Sequence, residues 1–212
     1  MRIMVWSLLA GIGSIALCGA METRPAVPSP GVALLVVDIQ NFYFEGGKSQ
    51  LSGSVEAGLQ AKALIEKFRM LQQPVIYVQH LPVGKESYNS AVDDPQYAIR
   101  SNITPLPGEK IFIKHEVNSF LNTGLLDYLR QNNIKRLVIC GMQTHMCVEA
   151  ATRAAVDFGF DVTLVADACA TRNLKYKDRE IPAETVHATI LAVLSGSYAR
   201  VVSTAELLAE MK

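Results

Sequence analysis

A cysteine stands where an apolar strand gives way to a helix. Residues 134–155 read IKRLVICGMQTHMCVEAATRAA. Residues 137–140 are a short apolar run, with charge before it and Gly141 after it. From His145 the pattern turns helical, with Met146, Ala150 and Ala154 at four-residue spacing. Cys147 therefore falls in the first turns of a helix, where unpaired N–H groups gather and the local field favours an anion. A thiol there loses its proton more readily than in water. That makes Cys147 the candidate nucleophile, although the same geometry also suits a small buried cysteine. Two more charged residues end apolar runs. Asp38 follows VALLVV, and Lys114 follows IFI. A carboxylate at a central strand end faces the ligand crevice of an α/β sheet, or it caps a turn. A lysine at such an end is solvated, or it lies beside the thiol and lowers its pKa. Brought together, the three residues support covalent hydrolysis. Cys147 attacks an electrophilic carbon, Asp38 exchanges the proton, and Lys114 stabilises the thiolate. Backbone N–H groups of the turn face the developing oxyanion.

Elements that position these residues are legible along the chain. Residues 32–37 are apolar on both faces, the mark of a central parallel strand. Gln40, Phe42 and Phe44 follow, and either line a pocket or pack the sheet edge. A helix is expected over 54–71, capped by Ser54, with Leu59, Ala63 and Phe68 on an inward stripe broadened by Val55, Leu64 and Ile65. Strands are expected over 74–79, 111–113, 136–140, 162–165 and 199–202. His80 ends the second strand, where a neutral imidazole would orient a substrate or make an ordinary polar contact. Residues 81–108 are long and irregular, and read as a substrate cap or an interface loop. Helices are expected over 122–132, from His145 to about 157, over 184–194 after Pro182, and over 204–211 after a Ser203 cap. Residues 172–181 read as a charged loop, Asp167 as a cap near the crevice, and Cys169 as packing. Strands alternating with helices predict one three-layer α/β/α domain with a six-stranded, mostly parallel, Rossmann-like sheet.

Composition narrows the function. The 212 residues are half apolar, and 20 basic residues balance 20 acidic ones. Nothing in that balance draws the chain to nucleic acid or an anionic membrane. Residues 1–20 differ in kind: Arg2, a nearly unbroken apolar stretch, then Cys18-Gly19-Ala20. This is the pattern of a secretory signal peptide cleaved near Ala20, followed by a Pro-rich linker over 21–31. It predicts an exported protein, periplasmic or secreted. The other reading is an uncleaved membrane anchor, although the run is short for a span. Once the leader is removed, no stable membrane span is expected. Cys140, Cys147 and Cys169 would remain. An odd number leaves at least one thiol unpaired within the chain, and all three are expected to be reduced.

Several site classes are missing. The chain lacks GxGxxG, GxxxxGK[ST] and GxSxG. Its four histidines, at 80, 115, 145 and 187, form no HExxH or other close pair, so no metal is expected. The chemistry above requires no cofactor.

The segments LLVVDIQNFYF, VIYVQH, KHEVNSFLNTGLLDYL, LVICGMQTHMCVEAATRAAVDFGFDVTLVADACAT and IPAETVHATILAVLSGSYARVV together resemble the isochorismatase-like superfamily of cysteine hydrolases. The likeness runs from about Gly31 to Val202. It implies a catalytic triad of Asp38, Lys114 and Cys147, the residues that the strand ends single out. It also implies a cis peptide bond at Met142-Gln143, and an oxyanion hole from the backbone N–H groups of Gln143 and Cys147. The implied pocket wall is Phe42, Phe44, His80, Phe120, Thr144 and His145, with Gln40 beside them. Nicotinamidases of this superfamily carry a metal-holding Asp-x-His that is missing here. An intact Cys147 leans toward cleavage of a C–N bond in a small amide, lactam or carbamoyl compound, through a thioester-type intermediate. The other readings are an isochorismatase-type ether hydrolase and a non-catalytic binding protein of the same fold. The expected partners are a small-molecule substrate and further copies of the chain, in a homo-oligomer.

Overall fold

Strand β1 (Val32–Val37) is the middle of the molecule and the reason its sequence is apolar without alternation. Ala33, Leu35 and Val37 face one core, and Leu34 and Val36 face the other. A strand covered on both sides has no face left for polar residues. In the computed structural model, which describes residues 31–84 and 91–211, β1 is flanked by β2 (Val75–His80) and β4 (Arg136–Met142). β3 (Lys110–Lys114) lies beyond β2. β5 (Asp161–Ala170) and β8 (Arg200–Val202) lie beyond β4. The order is β3-β2-β1-β4-β5-β8, with every pair parallel. The chain reverses its direction of travel across the sheet between β1 and β4, the switch point where such sheets open a crevice.

Five helices complete the layers among the described residues: α1 (Ser54–Met70), α2 (Leu125–Gln131), α3 (Glu149–Asp157), α4 (Ala183–Ser197) and α5 (Thr204–Glu210). Leu125 and Leu129 of α2, Ala151 and Ala155 of α3 and Leu194 of α4 enter one core. Leu64 and Phe68 of α1 and Leu207 of α5 enter the other. The result is the three-layer α/β/α domain. The expected leader at 1–20 lies outside the described residues, as does all of the expected linker except Gly31. Among the described residues, no helix is long and apolar enough to cross a membrane.

Local expectations are corrected in three places. Ser54 does not cap α1: Gly53 occupies that position at φ 71°, and Ser54 is buried in the first turn. The inward stripe of α1 is Ala57, Ala61, Leu64, Ile65 and Phe68, while Val55 and Leu59 are exposed at 50% and 56%. Apolar residues surround much of this helix, so spacing alone allowed two stripes. Along α3, Ala151, Ala154 and Ala155 are buried, while Met146 in the turn before it is exposed at 39%. Finally, the charged stretch after Arg172 is a hairpin of antiparallel β6 (Leu174–Tyr176) and β7 (Arg179–Ile181), not a plain loop.

The end caps follow expectation at α5. Ser203 accepts from the Glu206 N–H, and the Glu206 carboxylate accepts from the Ser203 N–H, a reciprocal cap. Asp167 Oδ1 accepts from the Thr204 N–H at 2.7 Å, so it fastens β5 to α5.

The corrected α1 stripe has a direct check. Leu64→Ala is expected to cost about 2–5 kcal/mol through lost burial and a cavity. Leu59→Ser is expected to stay within about 0.5 kcal/mol. Urea unfolding of both variants measures this, and equal destabilisation would contradict the assigned face.

Candidate active site

Parallel register brings three distant residues to one edge of the sheet. Val37 pairs with Val78 on β2 and with Gly141 on β4, and His80 pairs with Lys114 on β3. The carboxyl ends of the four strands are therefore level. Asp38 follows β1 at φ 50°, with its N–H donating to Val78 O at 3.0 Å. Aspartate is among the few side chains that tolerate this left-handed backbone. On β4, Gly141 passes so close to β1 that a Cβ would lie 2.0 Å from Val37 O. Only glycine fits there. The Met142-Gln143 peptide is cis. A wide helical turn, Thr144–Val148, follows, and Val148 N–H reaches back five residues to Gln143 O. Such wide turns recur at functional sites. Here the turn carries Cys147 and runs into α3.

The side chains converge on Lys114. Its Nζ lies 2.8 Å from Asp38 Oδ2 and donates to Cys147 Sγ at 3.1 Å. It also donates to Glu116 O at 3.0 Å and lies 3.3 Å from His80 Nδ1. Asp38, Lys114 and Cys147 are all buried. Among the described residues neither Asp38 oxygen has a hydrogen bond of good geometry, although Oδ2 lies within ion-pair distance of Lys114, so the carboxylate keeps acceptor capacity for an incoming proton.

Burial decides the charge states. It raises the Asp38 pKa against the opposing pull of Lys114 and Cys147. It works against the Lys114 cation too, but the Asp38 charge and then Cys147 outweigh it, and Lys114 stays protonated. The Cys147 thiol is pushed up to about 12, by burial first and the Asp38 carboxylate second, with Lys114 pulling the other way. This corrects the expectation of a thiol poised to ionise. The helix start and Lys114 favour the thiolate, but dehydration and a neighbouring carboxylate are stronger. With the Asp38 charge holding the Lys114 pKa up, the site keeps one ammonium between two groups that can each carry the balancing negative charge. Moving the thiol proton to Asp38 shifts one negative charge from oxygen to sulfur, and the same ammonium touches both atoms.

A cavity of about 220 Å³ lies beside the triad, lined by Phe42, Tyr43, Lys48, Ser49, His80, Pro82, Tyr97 and Gln143. Of the residues expected to wall a pocket, Phe42 and His80 line it. Gln40 is instead buried and structural: its amide donates to His80 O and Tyr97 O and accepts from the His80 N–H. Phe44 packs against Gly58 of α1 under the Arg100 guanidinium. Phe120 sits between the rings of Phe158 and Phe160, in the core that holds Cys147. Thr144 and His145 brace the turn through His187 and Thr171. A larger cavity of about 330 Å³ lies at the opposite, amino-terminal ends of the strands, away from the crevice.

Two site residues escaped sequence reasoning. Tyr43 is buried, its hydroxyl accepts from Gln143 Nε2 at 3.2 Å, and burial and then the Asp38 charge raise its pKa. An alternating pattern picks 40, 42 and 44, but Asn41–Tyr43 is a tight helical turn, so period two does not hold. Arg172, on the way into the hairpin, donates to Gln143 Oε1 at 3.2 Å. Among the described residues it pairs with no carboxylate. Cys140, Cys147 and Cys169 are all free thiols. No group of three His, Cys, Asp or Glu side chains among the described residues is placed to hold a metal.

This geometry is that of a cysteine hydrolase with an Asp-Lys-Cys triad. A profile of the isochorismatase domain matches residues 32–206, and the chain belongs to that family. It is 41% identical over 172 residues to the uncharacterized isochorismatase family protein YddQ of Bacillus subtilis, covering 81% of this chain and 96% of that one. A crystal structure of a putative isochorismatase hydrolase from Oleispira antarctica superposes with a TM-score of 0.81 at 37% identity, over 87% of this chain and 99% of the other. A ureidoacrylate amidohydrolase of Rhizobium rhizogenes is 28% identical over 69% of this chain and 75% of its own.

Asp38→Asn removes the charge that, after burial, most raises the thiol pKa. The pH midpoint for alkylation of Cys147 by iodoacetamide is then expected to fall. Lys114→Met removes the opposing charge, and the midpoint is expected to rise. Unchanged midpoints in both variants would mean that burial alone governs the thiol.

Proposed function

We propose that this hydrolase cleaves a C–N bond in a small amide, lactam or carbamoyl compound through a thioester on Cys147. The observation that carries the reading is the Lys114 ammonium in contact with both Asp38 Oδ2 and Cys147 Sγ. Asp38 takes the thiol proton as Sγ attacks the carbonyl carbon. The tetrahedral oxyanion is received by the N–H groups of Gln143 and Cys147. Asp38 then gives its proton to the leaving nitrogen, and the C–N bond breaks. In the second half Asp38 takes a proton from water, the new C–O bond forms, and the proton returns to sulfur as the thioester breaks. A neutral leaving amine needs that proton, which supports a raised Asp38 pKa as a working feature.

The likeness to a ureidoacrylate amidohydrolase supports an amide-type substrate. Arg172 supports a substrate that also carries a carboxylate. Its guanidinium meets Gln143, a wall residue of the cavity, and lacks an acidic partner among the described residues. An arginine without an acidic partner is well suited to a planar anion.

A panel of small amides and carbamoyl compounds, with and without a carboxylate, tests this. Turnover is expected to depend on Cys147 and Asp38, and Cys147→Ala with full turnover would falsify the proposal. The acid limb of kcat/KM is expected above the ordinary aspartate range of about 4, because activity is lost as the raised Asp38 takes up a proton.

Arg172→Ala is expected to raise KM about tenfold for the carboxylate-bearing members, as loss of a charge-assisted contact does, with kcat nearly kept. An equal effect on neutral members would remove the anion-binding role.

A further inference from the structure

Lys114 has three N–H bonds and four acceptors around them. Asp38 Oδ2 lies at 2.8 Å, Glu116 O at 3.0 Å, Cys147 Sγ at 3.1 Å and His80 Nδ1 at 3.3 Å. One acceptor must always share or go without. The sulfur changes most during the reaction. As a thiolate it is a strong acceptor, and as a thioester it is a weak one. When Cys147 is acylated, the N–H that faced sulfur has three other acceptors to turn to, of which the Glu116 carbonyl already takes an N–H of its own, leaving Asp38 and His80 to compete for it. Turning to Asp38 would tighten the ion pair and lower the basicity of the carboxylate. That happens just when Asp38 has to accept a proton from water.

His80 offers the other direction, and its surroundings hold it there. The β2–β3 register sets it opposite Lys114. Gln40 grips its backbone from both sides, at 2.8 Å on the N–H and 3.0 Å on the carbonyl. An ammonium only donates, so the Nδ1 facing it carries the lone pair, and the proton of the neutral ring sits on Nε2. Burial, and then the charges of Lys114 and His115, bring the ring down to about 4 against a smaller opposite pull from the Glu116 carbonyl. The ring thus stays an acceptor across the neutral range.

We propose that His80 is a positioning residue for Lys114: its Nδ1 takes up the ammonium N–H released when Cys147 becomes acylated, and so keeps Asp38 basic for hydrolysis of the acyl-enzyme. The inference rests on the thioester route proposed above. It concerns the second half of that route, and it is separable from the first.

p-Nitrophenyl acetate is the probe. In the first half the Sγ–C bond forms, p-nitrophenolate leaves, and the thiol proton passes to Asp38 and on to the phenolate. In the second half water adds to the acetyl carbon, one water proton passes through Asp38 to sulfur as the Sγ–C bond breaks, and acetic acid leaves. The burst of p-nitrophenolate reports acylation, and decay of the acetyl adduct on Cys147, followed by intact mass, reports deacylation. His80→Leu is expected to slow deacylation about tenfold, the worth of one lost hydrogen bond to a charged group, and to slow it clearly more than the burst. His80→Asn, whose Oδ1 accepts close to the place of Nδ1, is expected to recover the rate. Equal slowing of both halves in His80→Leu, or no recovery in His80→Asn, would mean that His80 merely supports the fold, and the proposal fails. The wild-type protein gives an independent reading through the ¹⁵N shifts of the His80 ring. An Nε2–H tautomer is expected, and an Nδ1–H tautomer overturns the proposal. A wild type with no Cys147-dependent burst removes the thioester route itself, an outcome distinct from a normal burst with unaltered deacylation in His80→Leu.

Discussion

The contact of one ammonium with two potential anions is what the remainder of the site depends on. Lys114 Nζ touches Asp38 Oδ2 and Cys147 Sγ in a buried crevice. A lone buried carboxylate or thiolate would be costly there. With the cation between them, a negative charge passing from oxygen to sulfur would keep its partner throughout. The site need not stabilise a standing thiolate. It needs only to make the proton transfer cheap at the moment of attack, which suits a resting thiol whose pKa lies well above neutrality.

Holding that cation in place is the task of the sheet. Lys114 comes from β3 and Asp38 from β1, with β2 between them. Only a level set of parallel strand ends allows the lysine to reach across. Gly141 lets β4 press against β1 with no room for a side chain, and this brings the Cys147 turn over the same spot. Asp38 itself adopts a left-handed backbone, so the chain turns at the strand end. These are small local departures from regular structure, and they cluster where the chemistry is.

Membership of the isochorismatase family fixes the architecture and the triad, but fold and triad do not select a substrate. Selection rests on what surrounds the triad. In this chain the surroundings are the aromatic cavity of Phe42, Tyr43 and Tyr97, the Gln143 side chain, and the arginine of the hairpin entrance. Tyr43, Gln143 and Arg172 form a hydrogen-bonded chain. They come from three separate parts of the sequence and meet only in the folded chain.

The sequence by itself determined the alternation of strands and helices, the buried central strand, and the three residues that carry the chemistry. Those features are local. A doubly covered strand has no polar face, and a charged residue at its end stands out against it. Other features depended on the fold. The inward stripe of α1 was read to include Leu59, because apolar residues surround the helix, and only packing against the sheet selects Leu64 over Leu59. Gln40 and Phe44 were equally legible as pocket or as packing, and their neighbours, not their spacing, decided for packing. Tyr43 and Arg172 were hidden, since a tight turn breaks the alternating pattern and a hairpin contact leaves no periodic trace. The sign of the Cys147 shift also belonged to the tertiary structure. Sequence placed the thiol near a helix start and a lysine, both of which favour the anion. Burial beside a carboxylate opposes them and prevails, because dehydration acts on the whole side chain and exists only once the chain has folded.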